Sequence, residues 1–157
     1  MLYRLFQPAD FDQLYEIEEV CFQPPLRFSR AFMRKLTSSP RHATWIAEEE
    51  GRLAGFAMID LKASTDPSAA YIQTLEVRPA LRKQGVGSDL LRRLETSAAE
   101  AGARSISLHV DTENKGAIRL YEAHNYMRQG REEHYYARRR AALVYAKPLG
   151  TKPLGEL

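Results

Sequence analysis

The sequence predicts a mixed α/β domain with the element order β-α-α-β-β-β-α-β-α-β. Three observations carry that reading. Short apolar runs separated by turn residues fill much of the first half, as expected for strands joined by tight connections. A strongly amphipathic stretch over Val86–Ala101 lies between two apolar segments, 69–77 and 104–110, and so reads as the helix of a βαβ crossover. The 157 residues, 44% hydrophobic and 27% charged, have the size and composition of one globular domain.

Each element follows from local pattern. Leu2–Phe6 alternates and forms a first strand. Asp10 stands where an N-cap belongs, ahead of a helix carrying Phe11, Leu14, Ile17, Val20 and Cys21. That helix stops before Gln23-Pro24-Pro25, because proline disfavours helix at the residue before it. Ser29 caps a second short helix with Phe32, Met33 and Leu36 inward, ending at Ser38-Ser39-Pro40. Residues 42–48 and 52–61 are strands around a turn at Glu50-Gly51, and a loop at 64–68 leads to the strand 69–77. The long helix places Val86, Leu90, Leu91, Leu94, Ala98 and Ala101 on one side and closes at Gly102. In the strand 104–110, Ile106, Leu108 and Val110 share one face, and Ser105, Ser107 and His109 share the other. Ala117, Leu120, Tyr121 and His124 form another helical stripe, and the final strand is Leu143–Ala146. A single domain over 1–148 is expected, with a flexible tail over 149–157 that is rich in Gly and Pro.

Composition narrows the function classes. One cysteine, Cys21, excludes an internal disulfide and an all-cysteine metal site, and on the first helix it reads as core packing. His42, His124 and His134 lack metal-ligand spacing, so no metal is expected. The N-terminus is too interrupted for a signal peptide, and no run of about eighteen apolar residues could span a membrane, which together predict a cytoplasmic protein. Net charge is +3, divided as −2 over residues 1–80 and +5 over 81–157. The basic half suits a phosphate-bearing ligand, nucleic acid or simply an uneven solvated surface. No helix-turn-helix, zinc or aromatic ribonucleoprotein signature accompanies it, so nucleic acid is not the expected partner.

The most informative segment is Arg82-Lys83-Gln84-Gly85-Val86-Gly87-Ser88, set between a strand and an amphipathic helix. Glycines there allow close backbone approach, and a helix start offers free N–H groups and a positive dipole end. Arg82 and Lys83 add charge for phosphate oxygens. A P-loop is excluded because no Gly-Lys-Ser/Thr follows, and a dinucleotide fingerprint because Leu90 stands where its third glycine belongs. Phosphate or pyrophosphate binding competes here with a plain tight turn. The strand–turn–helix placement favours the anion.

This Arg-x-x-Gly-x-Gly segment, introduced by Leu75-Glu76-Val77-Arg78-Pro79, resembles the acetyl-CoA signature of the GCN5-related N-acetyltransferases (GNAT). Asn114 through Glu122, an asparagine followed by a helix reaching Tyr121, is similar to that family's second cofactor segment. His124-Asn125-Tyr126 departs from its usual Gly-Phe. The resemblance spans residues 3 to 148 and implies a central, mostly antiparallel sheet. It implies acetyl-CoA as cosubstrate, with Leu75, Glu76 and Val77 on pantetheine and Arg82, Lys83, Gln84, Gly85, Val86, Gly87 and Ser88 on the pyrophosphate. Asn114 and Tyr121 would lie near the thioester.

Tyr71-Ile72-Gln73-Thr74-Leu75, Leu108-His109-Val110 and His134-Tyr135-Tyr136 further resemble segments of the protein N-terminal (alpha-amine) acetyltransferases. That likeness implies a water held by Tyr71 and His109 as the route for the amine proton, with Tyr121 as the acid for the departing thiol. An N-terminal amine has a pKa near 8, so a base is needed at neutral pH, and imidazole is suited to it. Each residue also has a structural reading: Tyr71 as a strand aromatic, His109 as a satisfied structural histidine, Tyr121 as core. Phe22, Pro24 (with Pro25), Phe28, Gln73, Tyr135 and Tyr136 are expected to wall the acceptor groove, although paired tyrosines can equally be cross-strand packing. The resemblance is greater to the eukaryotic type that modifies methionine-initiated N-termini than to the bacterial type that acetylates a ribosomal-protein alanine, which has Glu at the position of His109. Phe28 stands where the methionine type has tyrosine, and Gln73 replaces an apolar residue, so methionine specificity is not carried over. Arg138-Arg139-Arg140 reads either as a site for acidic peptide residues or as exposed charge. The expected acceptor is a protein or peptide N-terminus. Acetylation of lysine or a small amine, and a non-catalytic acyl-CoA sensor, are the alternatives. The sequence leaves the oligomeric state open.

Overall fold

A computed structural model describes residues 1–62, 66 and 68–150. Strands β1 (Leu2–Leu5), β2 (His42–Glu49), β3 (Arg52–Asp60), β4 (Ala69–Val77), β5 (Ser105–Asp111), β6 (Met127–Ala137) and β7 (Arg140–Pro148) form one sheet. Its order is β1-β2-β3-β4-β5-β7-β6, and every pairing is antiparallel except β4 with β5. Helices α1 (Phe11–Cys21), α2 (Arg30–Ser38), α3 (Val86–Glu100) and α4 (Lys115–Ala123) cover it. The mixed architecture and the βαβ crossover are those the sequence predicts.

Two cores flank the sheet. On one face α3 and α4 bury Leu90, Leu91, Leu94 and Tyr121 against Ala57, Ile72, Ile106 and Leu108. On the other, α1 and α2 bury Phe11, Leu14, Ile17, Met33 and Leu36 against Ile46, Phe56 and Met58. The Glu50-Gly51 turn places both residues at positive φ, the left-handed pair a two-residue hairpin requires. Ser29 caps α2 by accepting from the Phe32 amide at 3.1 Å. Gly102, at φ 89°, closes α3.

Several details differ from expectation. The predicted order lacks β6, an eleven-residue edge strand exposed along most of its length. Its sequence, with Arg131, Glu132, Glu133 and His134 in succession, carries no apolar alternation because it has no core to face; charge also protects such an edge from pairing. The last strand is longer than predicted because β6 pairs along β7. Val20 and Phe32 are 50% and 40% exposed rather than inward. Asp10 does not cap α1: its carboxylate accepts from the Gln7 amide and from the Arg4 guanidinium. Leu149, at the start of the predicted tail, donates to the Arg104 carbonyl at 2.8 Å, and residues 151–157 lie outside those described. Among the described residues no helix is long and apolar enough to cross a membrane.

Candidate active site

The parallel ladder between β4 and β5 runs only from Ala69↔Ser105 to Ile72↔Leu108. Beyond it β4 stays on β3, as far as Gly55↔Val77, while β5 stays on β7, as far as Asp111↔Ala142. The two strands therefore part, and the backbone of 73–77 that faces β5 has no strand partner. A β-bulge at Gln73, between Ile72 and Thr74, reverses which side chains face which core. Leu75 and Val77 consequently face α3, and Thr74 and Glu76 face α1.

At the open end of the cleft the chain turns into α3. Lys83 and Gly85 sit at φ 63° and 85°, and Gly85 is the residue that precedes the helix. Among the described residues, none of the N–H groups of 83–88 has a protein acceptor. Six free donors at a helix start, beside an unpaired strand edge, fit a ligand with a phosphate group and an amide-bearing chain. Gly87 serves packing instead: a Cβ there would lie 3.4 Å from Leu120 and 3.7 Å from Leu75. Val86 is buried, leaving its amide as the usable group.

Side chains assigned to the cofactor divide differently from their backbones. Lys83 and Gln84 are exposed. Arg82 folds back, donating from Nε to the Val77 carbonyl at 3.0 Å and from Nη2 to Cys21 Sγ at 3.5 Å. Cys21 is thus half-buried beside the turn rather than simply in a core, and burial pushes its thiol up. The Ser88 hydroxyl is 3.0 Å from His124 Nε2. Asn114 caps α4, its Oδ1 accepting from the Ala117 amide at 3.1 Å.

The Glu76 side chain leaves the cleft altogether. It accepts from Thr74 at 2.7 Å and lies against Glu18 of α1, whose Oε2 accepts from the Phe28 amide at 3.1 Å. Both carboxyls are buried, and the Oε1 of each has no other partner. A proton held between them satisfies both atoms. Burial, then the neighbouring Glu18, holds Glu76 well above the usual carboxylate range.

The candidate catalytic residues do converge. The Tyr71 hydroxyl lies 2.8 Å from His109 Nδ1 and 3.4 Å from the Tyr135 hydroxyl. The Tyr135 ring stacks on His109 at 4.1 Å and 4°. The 2.8 Å contact leaves no room for a water between Tyr71 and His109, so the expected bridging water has to sit against the pair. Burial, then Tyr135, pushes the Tyr71 phenol above its ordinary value, so it stays protonated. Tyr121 is 5% exposed, set edge-on to Tyr126, and burial raises its phenol too.

Of the residues expected to wall an acceptor groove, the structure brings some together. Tyr135 and half-buried Tyr136 meet edge-to-face at 4.9 Å. Phe28 is pinned by both backbone groups, its amide to Glu18 and its carbonyl to the Tyr15 hydroxyl at 2.9 Å. Gln73 lies beside His42, whose imidazole burial shifts down. No hydrogen bond or ring contact among the described residues links Phe22 or Pro24 to the hairpin tyrosines. Arg140 is engaged by Asp111 at 2.7 Å and Glu113 at 3.2 Å, which leaves Arg138 and Arg139 as the exposed pair. Glu18, Thr74 and Glu132 escaped sequence reasoning; Glu132 Oε1 lies 3.2 Å from His109 Nε2. Among the described residues no cluster of three or more His, Cys, Asp or Glu is arranged to hold a metal.

Residues 11–126 match the model of the acetyltransferase (GNAT) family. The chain is 35% identical over 133 residues to N-alpha-acetyltransferase RimI of Mycobacterium tuberculosis, covering 82% of this chain and 79% of that one. It is 28% identical over 146 residues to N-alpha-acetyltransferase 60 of Xenopus tropicalis, covering 80% of this chain but only 60% of that relative's length. In fold it is similar to the ribosomal-protein-S18-alanine N-acetyltransferase from Escherichia coli, with TM-score 0.83, 22% identity and 98% and 96% of the two chains covered. It is equally similar in fold to an aminoglycoside 6′-N-acetyltransferase complexed with coenzyme A, with TM-score 0.83, 18% identity and 98% and 99% covered. With a parted β4/β5 pair, a donor-rich turn into α3 and these matches, the chain belongs to the GNAT family of acetyltransferases.

Proposed function

We propose that this protein transfers the acetyl group of acetyl-CoA directly to the N-terminal alpha-amine of a protein or peptide. The observation that carries the reading is the 2.8 Å contact between Tyr71 and His109, set beneath the β6–β7 hairpin. The names of the N-alpha-acetyltransferase relatives support the same acceptor class.

The free amides of 83–88 hold the pyrophosphate, and the unpaired edge at Leu75, Glu76 and Val77 meets the pantetheine through backbone groups. Lys83 adds a screening charge from solvent. Acetyl-CoA supplies an activated thioester carbonyl. The Tyr71 hydroxyl donates to His109 Nδ1, which leaves its oxygen lone pairs free to accept a proton from the amine, directly or through one water. As the amine nitrogen bonds to the carbonyl carbon, its proton passes to Tyr71 while Tyr71's own proton moves to His109. The phenol therefore never becomes a free phenolate, which its raised pKa would forbid. Tyr121, its phenol kept protonated by burial, donates a hydrogen bond to the sulfur as the C–S bond breaks, and the thiolate takes up the proton that His109 gives back through solvent, so no covalent enzyme intermediate is needed.

Incubation with acetyl-CoA and a library of peptides with free N-termini, read by mass spectrometry, tests the assignment. Acetyl groups on alpha-amines are the expected result. Modification of lysine or of small amines alone overturns the acceptor class, and cofactor binding without turnover overturns the catalytic roles.

A further inference from the structure

Glu132 lies on β6, the strand absent from the predicted order, and it reaches the proposed base across an intervening strand. His109 pairs with Val144, and Val144 pairs with Gly130. Two residues along, Glu132 pairs with Ala142 on the same face. Ala142, the β7 residue opposite Glu132, carries only a methyl group, and Glu132 Oε1 reaches 3.2 Å from His109 Nε2. That nitrogen is buried and has no aligned hydrogen bond, because the carboxylate sits off the N–H axis. Glu132 is half-exposed, so its outer torsions are not locked by packing. The other groups facing the ring are the Tyr71 hydroxyl on β4, at Nδ1, and the Tyr135 ring on β6, stacked on its face.

We infer that Glu132 is a positioning residue for His109, selecting the imidazole tautomer that carries its proton on Nε2 and so leaving Nδ1 free to accept from Tyr71. This rests on the role given to His109 above. A neutral imidazole has one N–H, and the nitrogen that bears it is decided by the acceptor offered. Were the proton on Nδ1, Tyr71 could only accept from His109, and the relay would run backwards. Once the Tyr71 proton has arrived at Nδ1, the ring is cationic and the carboxylate stands opposite its Nε2–H. The logic is that of a carboxylate orienting a histidine in an acyl-transfer triad, with tyrosine in place of serine and no covalent bond to the enzyme. The proton leaves to solvent when the ring resets, so the cycle balances.

Imidazole ¹⁵N shifts of His109 in the cofactor-free protein, assigned by loss of its signals in His109→Gln, give a readout independent of any acceptor. The wild type should show Nε2 protonated and Nδ1 as acceptor. Glu132→Ala should mix the two tautomers, whereas Glu132→Gln, which retains an acceptor oxygen, should keep the wild-type pattern. With the best peptide from the library, kcat should fall about tenfold in Glu132→Ala, with KM for peptide and acetyl-CoA unchanged. A wild-type ring protonated on Nδ1, or shifts unaltered in Glu132→Ala, overturns the proposal. A tautomer change with kcat preserved overturns its catalytic meaning. If no N-terminal acceptor is found, the function reading fails while the tautomer result still decides the role of Glu132.

Discussion

The two ends of the cleft are built from different materials. At the end proposed for the cofactor the groups on offer are backbone: free amides of 83–88 at the start of α3, and an unpaired stretch of β4. At the end proposed for the acceptor they are side chains: Tyr71 from β4, His109 from β5, Glu132 and Tyr135 from β6. A backbone site tolerates many side chains provided the turn is made, whereas a side-chain site depends on the register of three separate strands. The first should yield to changes in conformation and the second to changes in functional groups.

The sharpest test of that contrast lies in the acceptor pair. Tyr71→Phe and His109→Ala are each expected to lower kcat by about a hundredfold or more, while calorimetry gives a coenzyme A Kd within about twofold of wild type. Equal loss of cofactor binding would mean that the two ends are not separable. At the other end, Gly85→Val forces a β-branched residue into a left-handed conformation, and coenzyme A should bind about tenfold more weakly for want of an ordered turn. The Tyr71–His109 contact, followed by His109 ring shifts, should persist in that variant.

Smaller effects sharpen the boundary between the regions. Glu76 is held above its unfolded pKa, so its contribution to stability is whole below about pH 4.3 and is lost as pH rises towards its folded value. Glu76→Gln removes that titration and keeps a donor for Glu18. Denaturant unfolding should find the variant more stable by about 1–2 kcal/mol at pH 8, with the gain fading as pH falls towards 4. Asn114→Ala should cost about 1 kcal/mol through the lost cap of α4, and Asn114→Ser should recover most of it.

The contrast also explains what could be read from the sequence. The turn at 82–88 was legible because its signals are local: glycine at a left-handed position, a strand before it and an amphipathic stripe after it. Tyr71 and His109 stood out by resemblance, since nothing near either in sequence says that their side chains meet; the parallel pairing of β4 with β5 brings them together from 38 residues apart. Glu76 is expected to meet the cofactor through its backbone; what its side chain does was not legible, because the bulge at Gln73 turns it to α1. Glu132 was invisible because β6 is an exposed edge, where charged residues carry no periodicity to report. Arg82 and Ser88 stand at the turn, but partners beyond it, Val77 and His124, occupy their side chains, which no local pattern announces.

The parting of β4 from β5 has a further consequence. A bare sheet edge normally invites another chain to add on and risks aggregation. Here the bare edge lies in the middle of the sheet, with β3 on one side of β4 and the departing β5 on the other, and not at its rim. The fold thereby keeps a row of unpaired amides and carbonyls on β4 without adding a third rim that a stray chain could extend.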